Sequence, residues 1–121
     1  MPVQCIQTPA KCLGPYSPAC KANGLIFVSG QLGVKDGALG ATVEEQTKNA
    51  LNNLKGILEV AGSSMSKVAK TQVMLKNISD FAAVNAIYAE AFGDHKPARI
   101  CVEVAKLPMD ALVEIDAIAA E

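Results

Sequence analysis

The sequence predicts an α+β fold: a six-stranded mixed sheet with two helices on one of its faces. Three observations predict it. Two segments, 42–62 and 79–93, carry apolar residues at helical spacing between start and stop residues. Six short segments read as strands, by alternation or by an apolar run beside a turn, in the order βββ-α-β-α-ββ. With 121 residues, 50% of them hydrophobic and 19% charged, the chain has the length and composition of one folded domain over residues 1–121. It contains no long linker, internal repeat or low-complexity segment.

Val3 to Gln7 alternates apolar and polar residues and reads as a short strand. Thr8 to Ser17 reads as loop, punctuated by Pro9, Gly14 and Pro15. Asn23-Gly24 is a two-residue hairpin turn. It joins a strand over Pro18 to Ala22 to another over Leu25 to Gly30. Gln31 to Ala41 is glycine-rich and reads as loop.

Thr42 and Glu45 make a capping box for the first helix. Leu51, Leu54, Ile57, Leu58 and Ala61 form its apolar face, and Gly62 stops it. Thr71, Val73 and Leu75 alternate with Lys70, Gln72 and Lys76 in a strand over Ala69 to Lys76. Ser79 is placed to cap the second helix. Phe81, Val84, Tyr88, Ala91 and Phe92 share one of its faces, and Gly93 ends it. Two strands close the chain, Arg99 to Ala105 and Ala111 to Ala119.

Two helices cover one face of such a sheet. Leu25-Ile26-Phe27-Val28 is nevertheless apolar on both faces. The second face needs other cover, and another copy of the chain supplies it. A homo-oligomer is therefore expected.

Several function classes are disfavoured. The longest uncharged stretch is the 13 residues Ala22 to Val34, short of the ~20 that span a bilayer. No secretory signal is visible at the start. Four cysteines without one point to reduced thiols and a cytoplasmic protein. The net charge is −1 with scattered basic residues, and the aromatics number five. These features weigh against nucleic acid as the main ligand, because phosphate and base recognition need concentrated charge and stacking surfaces. Cys5, Cys12, Cys20 and Cys101 show no Cys-x-x-Cys pairing, and His95 is the single histidine. No metal site is expected. His95 sits in a turn, a poor place for a triad member.

In the closing strands, Ile100, Val102 and Val104 share one face of Arg99 to Ala105, and Arg99, Cys101 and Glu103 the other. Glu114 and Asp116 alternate with core-facing Val113 and Ile115. The expectation is that Arg99 and Glu114 both lie on the second sheet face. There they are candidates for function in a partly dry interface. Spacing alone favours solvated charges or an interface salt bridge. Tyr16 in its Pro15-Tyr16 turn and Ser29-Gly30 at a strand end are further candidates. Each also reads as an ordinary turn or strand end. Gly30 and Gly33 make no phosphate loop. Asn85, inside the second helix, hints at a polar contact.

Together these blocks resemble the RidA/YjgF family. The likeness is carried by Gly14-Pro15-Tyr16-Ser17-Pro18-Ala19, Phe27-Val28-Ser29-Gly30-Gln31, Asn77 through Phe92, Pro97 through Pro108 and Val113 through Ala119, in order over nearly the whole chain. The resemblance implies a chorismate-mutase-like sandwich, assembled as a homotrimer whose three sheets form a barrel with clefts between subunits. It implies hydrolysis of 2-imino acids, such as 2-iminobutanoate and 2-iminopropanoate, to 2-oxo acids and ammonia, with no cofactor.

The resemblance also assigns roles. Arg99 holds the substrate carboxylate. Glu114 activates water or transfers protons. Tyr16 and Ser29 line the cleft, the backbones of Gly30 and Cys101 touch the ligand, and Asn85 lies nearby. Family members are also described as endoribonucleases or translation inhibitors. A non-catalytic binder of small acids and a chaperone are two more roles open to such a chain. Two departures stand out. Gly93-Asp94-His95-Lys96 leads straight into Pro97, where the family commonly has a longer loop with a phenylalanine. Ile100 replaces a more usual small hydroxyl residue.

Overall fold

The computed structural model describes residues 2–10 and 12–121. The strands are β1 (Gln4–Ile6), β2 (Ala19–Ala22), β3 (Leu25–Leu32), β4 (Val34–Lys35), β5 (Ala38–Leu39), β6 (Val68–Leu75), β7 (Ala98–Glu103) and β8 (Val113–Ala120). The helices are α1 (Val43–Val60) and α2 (Phe81–Phe92). Six strands form one sheet in the order β1-β2-β3-β8-β6-β7. Only β6 and β7 run parallel, joined across α2. The mixed six-stranded sheet with two helices on one face is as the sequence predicts.

Both turns that reverse a hairpin use a two-residue asparagine or aspartate–glycine pair. Asn23 and Gly24 have φ 51° and 81°, and Asp36 and Gly37 have φ 53° and 82°. Positive φ at both positions suits a turn that matches strand twist. The second pair corrects the reading of 31–41 as loop. β3 runs on to Leu32, and β4 pairs with β5 across Asp36-Gly37.

The α1 start follows expectation. Thr42 Oγ1 accepts from the Glu45 N–H at 3.1 Å, and the Glu45 carboxylate accepts from the Ala41 N–H at 2.9 Å. At its end, Gly62 takes φ 83° and the Ser63 N–H reaches the Leu58 carbonyl at 2.8 Å. The α2 start does not follow expectation. Ser79 lies within a short 3₁₀ turn, Ile78–Asp80, and caps nothing. Glu103 of β7 instead accepts from the Ile78 N–H at 2.9 Å. A side chain from a neighbouring strand thus satisfies the N–H at the start of this turn.

The core lies between the helices and the sheet. Ile26, Val28, Val73, Leu75, Val113 and Ile115 meet Leu54, Leu58 and Val84, all buried. Gly33 lets the chain after β3 pass directly over α1, since a Cβ there would lie 2.3 Å from the Gln46 Cα. Gln46 is buried and spans two elements. Its amide donates to the Gly40 carbonyl at 2.9 Å and accepts from the Leu112 N–H at 2.8 Å.

Neither α1 nor α2 lies over the other sheet face, where Leu32, Leu107 and Ala111 form a small cluster with Met74. Leu25 and Phe27 are 39% and 43% exposed, and Ile100 and Val102 are 41% and 40% exposed. Exposed apolar residues thus stand on β3 and on β7 of this face, and Lys70, Gln72, Glu114 and Asp116 of β6 and β8 lie between them.

Candidate functional site

The two charged residues singled out in the sequence lie on opposite faces of the sheet, which corrects the expectation that they share one. The parallel register pairs Arg99 with Thr71 and Cys101 with Val73. Thr71 and Val73 are buried under the helices, so Arg99 and Cys101 face that side too. β8 is antiparallel to β6 and pairs Glu114 with Met74, on the uncovered face. Alternation sorts residues into two sets, and only strand pairing says which set meets the helices.

The Arg99 guanidinium is held by α2. Its Nη1 donates to Asn85 Oδ1 at 2.6 Å. Its Cζ stands 4.9 Å from the Tyr88 ring centroid and 5.5 Å from that of Phe81. Such cation–π contacts are worth about 0.5–2 kcal/mol each. They also fix the plane of the fork. Tyr88 is itself anchored by a 2.6 Å hydrogen bond between its hydroxyl and Thr71 Oγ1. Burial pushes the Tyr88 phenol up, opposed by the Thr71 hydrogen bond and by Arg99. Among the described residues, no carboxylate lies within 4.0 Å of the guanidinium. Its remaining donors are thus not committed to an internal ion pair.

Cys101 sits beside this cluster, half-buried against the core. Burial pushes its thiol up, and Arg99 opposes that shift. It is not a ready thiolate.

Glu114 belongs to a second group. Its carboxylate rests on Gly30, where an added Cβ would lie 2.6 Å from Oε2. The bulge in β3 between Val28 and Gln31 turns this stretch relative to β8. Ser29 Oγ donates to the Ser17 carbonyl at 2.6 Å, and the Gln31 amide donates to the Ser29 carbonyl at 3.0 Å. Burial raises the Glu114 pKa above the ordinary carboxylate range, and Asp116, two residues along the same face, adds to the rise. Asp116 is raised as well, mainly by burial.

Tyr16 is exposed on the loop that precedes β2, its hydroxyl accepting from the Leu13 N–H at 3.3 Å. Residue 11 of that loop lies outside the described residues. Tyr16 and Gly30 line a cleft of about 760 Å³ with Gln31, Leu32, Asn53 and Ile57. Neither Arg99 nor Glu114 lines it. His95 is half-buried, and its Nε2 donates to the Val68 carbonyl at 2.6 Å. It is a structural ring in a turn.

One chain thus brings together Gly30, Ser29 and Glu114, and separately Arg99, Asn85 and Cys101. The sequence reading overlooked Phe81 and Tyr88 as the aromatic seat of Arg99, because their helical spacing reads as core. Phe81, Asn85 and Tyr88 recur four and three residues apart, one stripe that meets β7. A polar residue set inside that apolar stripe is the signal that was available. Among the described residues, no group of three or more His, Cys, Asp or Glu could hold a metal ion.

Comparison with known proteins gives a consistent picture. The family model described as Endoribonuclease L-PSP matches residues 6–121. The chain is similar to a RutC family protein of Pyrococcus horikoshii, 48% identical over 112 residues, covering 90% of this chain and 89% of that one. It is similar to Reactive Intermediate Deaminase A, chloroplastic, of Arabidopsis thaliana, 46% identical over 110 residues, covering 88% of this chain and 59% of that protein. Among solved structures, E. coli TdcF with bound serine superposes with a TM-score of 0.93 at 35% identity, covering 98% of each chain.

Proposed function

The chain belongs to the Endoribonuclease L-PSP family, which includes the RidA/YjgF proteins it resembles, and on that premise we propose that it hydrolyses small 2-imino acids to 2-oxo acids and ammonia. The named substrates are 2-iminobutanoate and 2-iminopropanoate. The site lies between two copies of the chain in a homotrimer, with Arg99 from one and Glu114 from the next.

The observation that carries this reading is the split of the two charges. Arg99 and Glu114 face opposite sides of the sheet. A single cleft that uses both needs a second chain, and the exposed Leu25 and Phe27 on the face that α1 and α2 do not cover supply apolar surface for it. The relatives support the chemistry. One is named a reactive intermediate deaminase, and another is solved with serine bound, a small amino acid with a carboxylate.

The mechanism follows from residue types. Guanidinium grips a carboxylate through two parallel hydrogen bonds and orients the neighbouring C=N carbon. Asn85, Phe81 and Tyr88 hold that guanidinium in place. Ionised Glu114 takes a proton as water adds to the protonated imine, giving a carbinolamine. It returns the proton to the nitrogen, then takes the hydroxyl proton as the C–N bond breaks and the C=O bond forms, and passes it to the departing ammonia, which leaves as ammonium. A carboxylate whose pKa is raised by burial is better suited to both steps than an exposed one. Tyr16 and Ser29 line this shared cleft between chains, and the Gly30 and Cys101 backbones contact the ligand. No cofactor enters.

Gly30→Ala puts a methyl where the Glu114 carboxylate lies. The clash is with the end of a flexible side chain, so folding is kept and the carboxylate is displaced. Turnover is expected to fall about 10-fold or more, with an unchanged circular dichroism spectrum. Cys101→Ser keeps the backbone contact and is expected to retain most activity. Complete inactivation of the folded variant would make the thiol a participant. Light scattering should report a trimer, and a stable monomer at micromolar concentration would contradict the shared site.

The word endoribonuclease in the family description raises a second activity. The single imidazole is engaged with the Val68 carbonyl, the net charge is −1 and basic residues are scattered. Imine hydrolysis is the reading the site supports better. Among the described residues, no helix is long and apolar enough to cross a membrane. Cytoplasmic residence is proposed from the reduced thiols alone.

The test is a coupled assay. A pyridoxal-phosphate threonine dehydratase releases the imine, and formation of the 2-oxo acid is followed with and without this protein. Faster conversion is expected. A rate equal to that of the dehydratase alone, with the trimer intact, would overturn the proposal.

A further inference from the structure

We propose that Cys5 and Cys20 form a redox-modification site, a dithiol that a hydroperoxide converts to a disulfide within one chain. The pair stands directly opposite on antiparallel β1 and β2, with Sγ atoms 3.4 Å apart and both thiols free. Residues directly opposite in such a pair have Cα atoms about 4.5–5.5 Å apart. Disulfides take Cα separations of about 4.4–6.8 Å, so the bridge closes without moving the strands apart.

The two sulfurs have different roles. Cys5 is exposed on the outermost strand of the sheet. The Ser17 hydroxyl beside it, and then the Cys20 thiol, favour its thiolate and lower its pKa. Cys20 donates its S–H toward Cys5, and that contact, then burial, raises its own. Cys5 is therefore the attacking thiolate and Cys20 the resolving thiol. Cys101, by contrast, is half-buried with its thiol pushed up by burial.

The steps balance. The Cys5 thiolate attacks one oxygen of the hydroperoxide. An S–O bond forms, the O–O bond breaks, and the leaving alkoxide, or hydroxide from hydrogen peroxide, takes a proton and departs as an alcohol or water. The Cys20 sulfur then gives up its proton and attacks the Cys5 sulfenic acid. The S–S bond forms, the S–O bond breaks, and hydroxide takes the proton to leave as water. Two thiols lose two electrons to one peroxide. An exposed disulfide of this kind is reducible by dithiols, which makes the change reversible.

The pair is connected to the candidate site. Ser17, which contacts Cys5, also accepts the Ser29 hydroxyl through its carbonyl at 2.6 Å. The inference itself does not depend on the proposed activity, and its test reads chemistry alone.

The native protein is titrated with hydrogen peroxide, alkylated without reduction, digested and analysed by mass spectrometry. The four thiols of each chain should fall to two, with recovery on adding dithiothreitol. A peptide pair joining Cys5 to Cys20 should survive in Cys12→Ser and vanish in Cys20→Ser. Equal oxidation of all cysteines, no linked pair, or links only between chains would overturn the proposal.

Discussion

Glu114→Gln lowers imine turnover about 10²–10⁴-fold, the usual contribution of a positioned general acid–base. The variant keeps side-chain size and its contact with Gly30 but cannot carry a proton back and forth. It still folds, assembles and binds a 2-oxo acid through Arg99. Titration calorimetry with 2-oxobutanoate separates binding from turnover. Loss of both together would make Glu114 a structural partner instead.

The same variant has a stability signature. The Glu114 pKa is raised in the folded chain by burial first and Asp116 second. The native state thus holds the proton more tightly than the unfolded chain. The stabilisation from that proton is complete below the ordinary carboxylate range. It is lost as pH rises through the raised folded value. Glu114→Gln has no such loss. Its Tm should match the wild type at acid pH and exceed it at neutral pH, as scanning calorimetry across pH reads directly. A lower Tm at neutral pH would mean that ionised Glu114 is stabilised by a partner.

Arg99→Lys lowers kcat/KM by at least ~10-fold, about 1.4 kcal/mol or more of transition-state stabilisation. The charge is kept, but ammonium is a point charge and cannot form the paired, coplanar hydrogen bonds that orient the substrate. It also loses the stacked seat over Tyr88 and the planar hydrogen bond to Asn85. Steady-state kinetics in the coupled assay measure this. Activity near wild type in Arg99→Lys would show that charge alone suffices and that the aromatic seat has no part in orientation.

Much of the fold was legible because local chemistry and tertiary context agree there. The Thr42–Glu45 capping box, the Asn23-Gly24 turn and the alternation of β6 each act over a few residues. The uncovered face was legible from Leu25 to Val28, since two helices cannot cover both sides of a six-stranded sheet. The β4–β5 hairpin was missed because Asp36-Gly37 lies between Gly33 and Gly40, in a stretch that reads as irregular. The Ser79 cap failed because the chain enters α2 through a 3₁₀ turn, Ile78–Asp80, that takes Ser79 into itself and leaves Asp80 at the helix start.

The site was legible in its residue types and not in its arrangement. Alternation separated Arg99 from Ile100 correctly, but the apolar set of β7 turned out to face the open side. An edge strand parallel to β6 takes its facing from that register, which no pattern within β7 contains. Phe81 and Tyr88 were hidden for a related reason. Aromatics at helical spacing pack a core and seat a guanidinium equally well, and only the neighbouring strand decides between the two.

The most direct test of the shared site is complementation between two impaired variants. Arg99→Lys and Glu114→Gln are co-expressed with different tags, and doubly tagged assemblies are purified and assayed for imine hydrolysis. In a mixed trimer, one cleft combines an intact Arg99 from one chain with an intact Glu114 from the other. Whichever variant is in the minority, such clefts are about one third of the total. The account predicts about that share of wild-type activity in the mixed trimers and far less in either variant alone. Mixed assemblies no more active than their parents would contradict a site built from two chains.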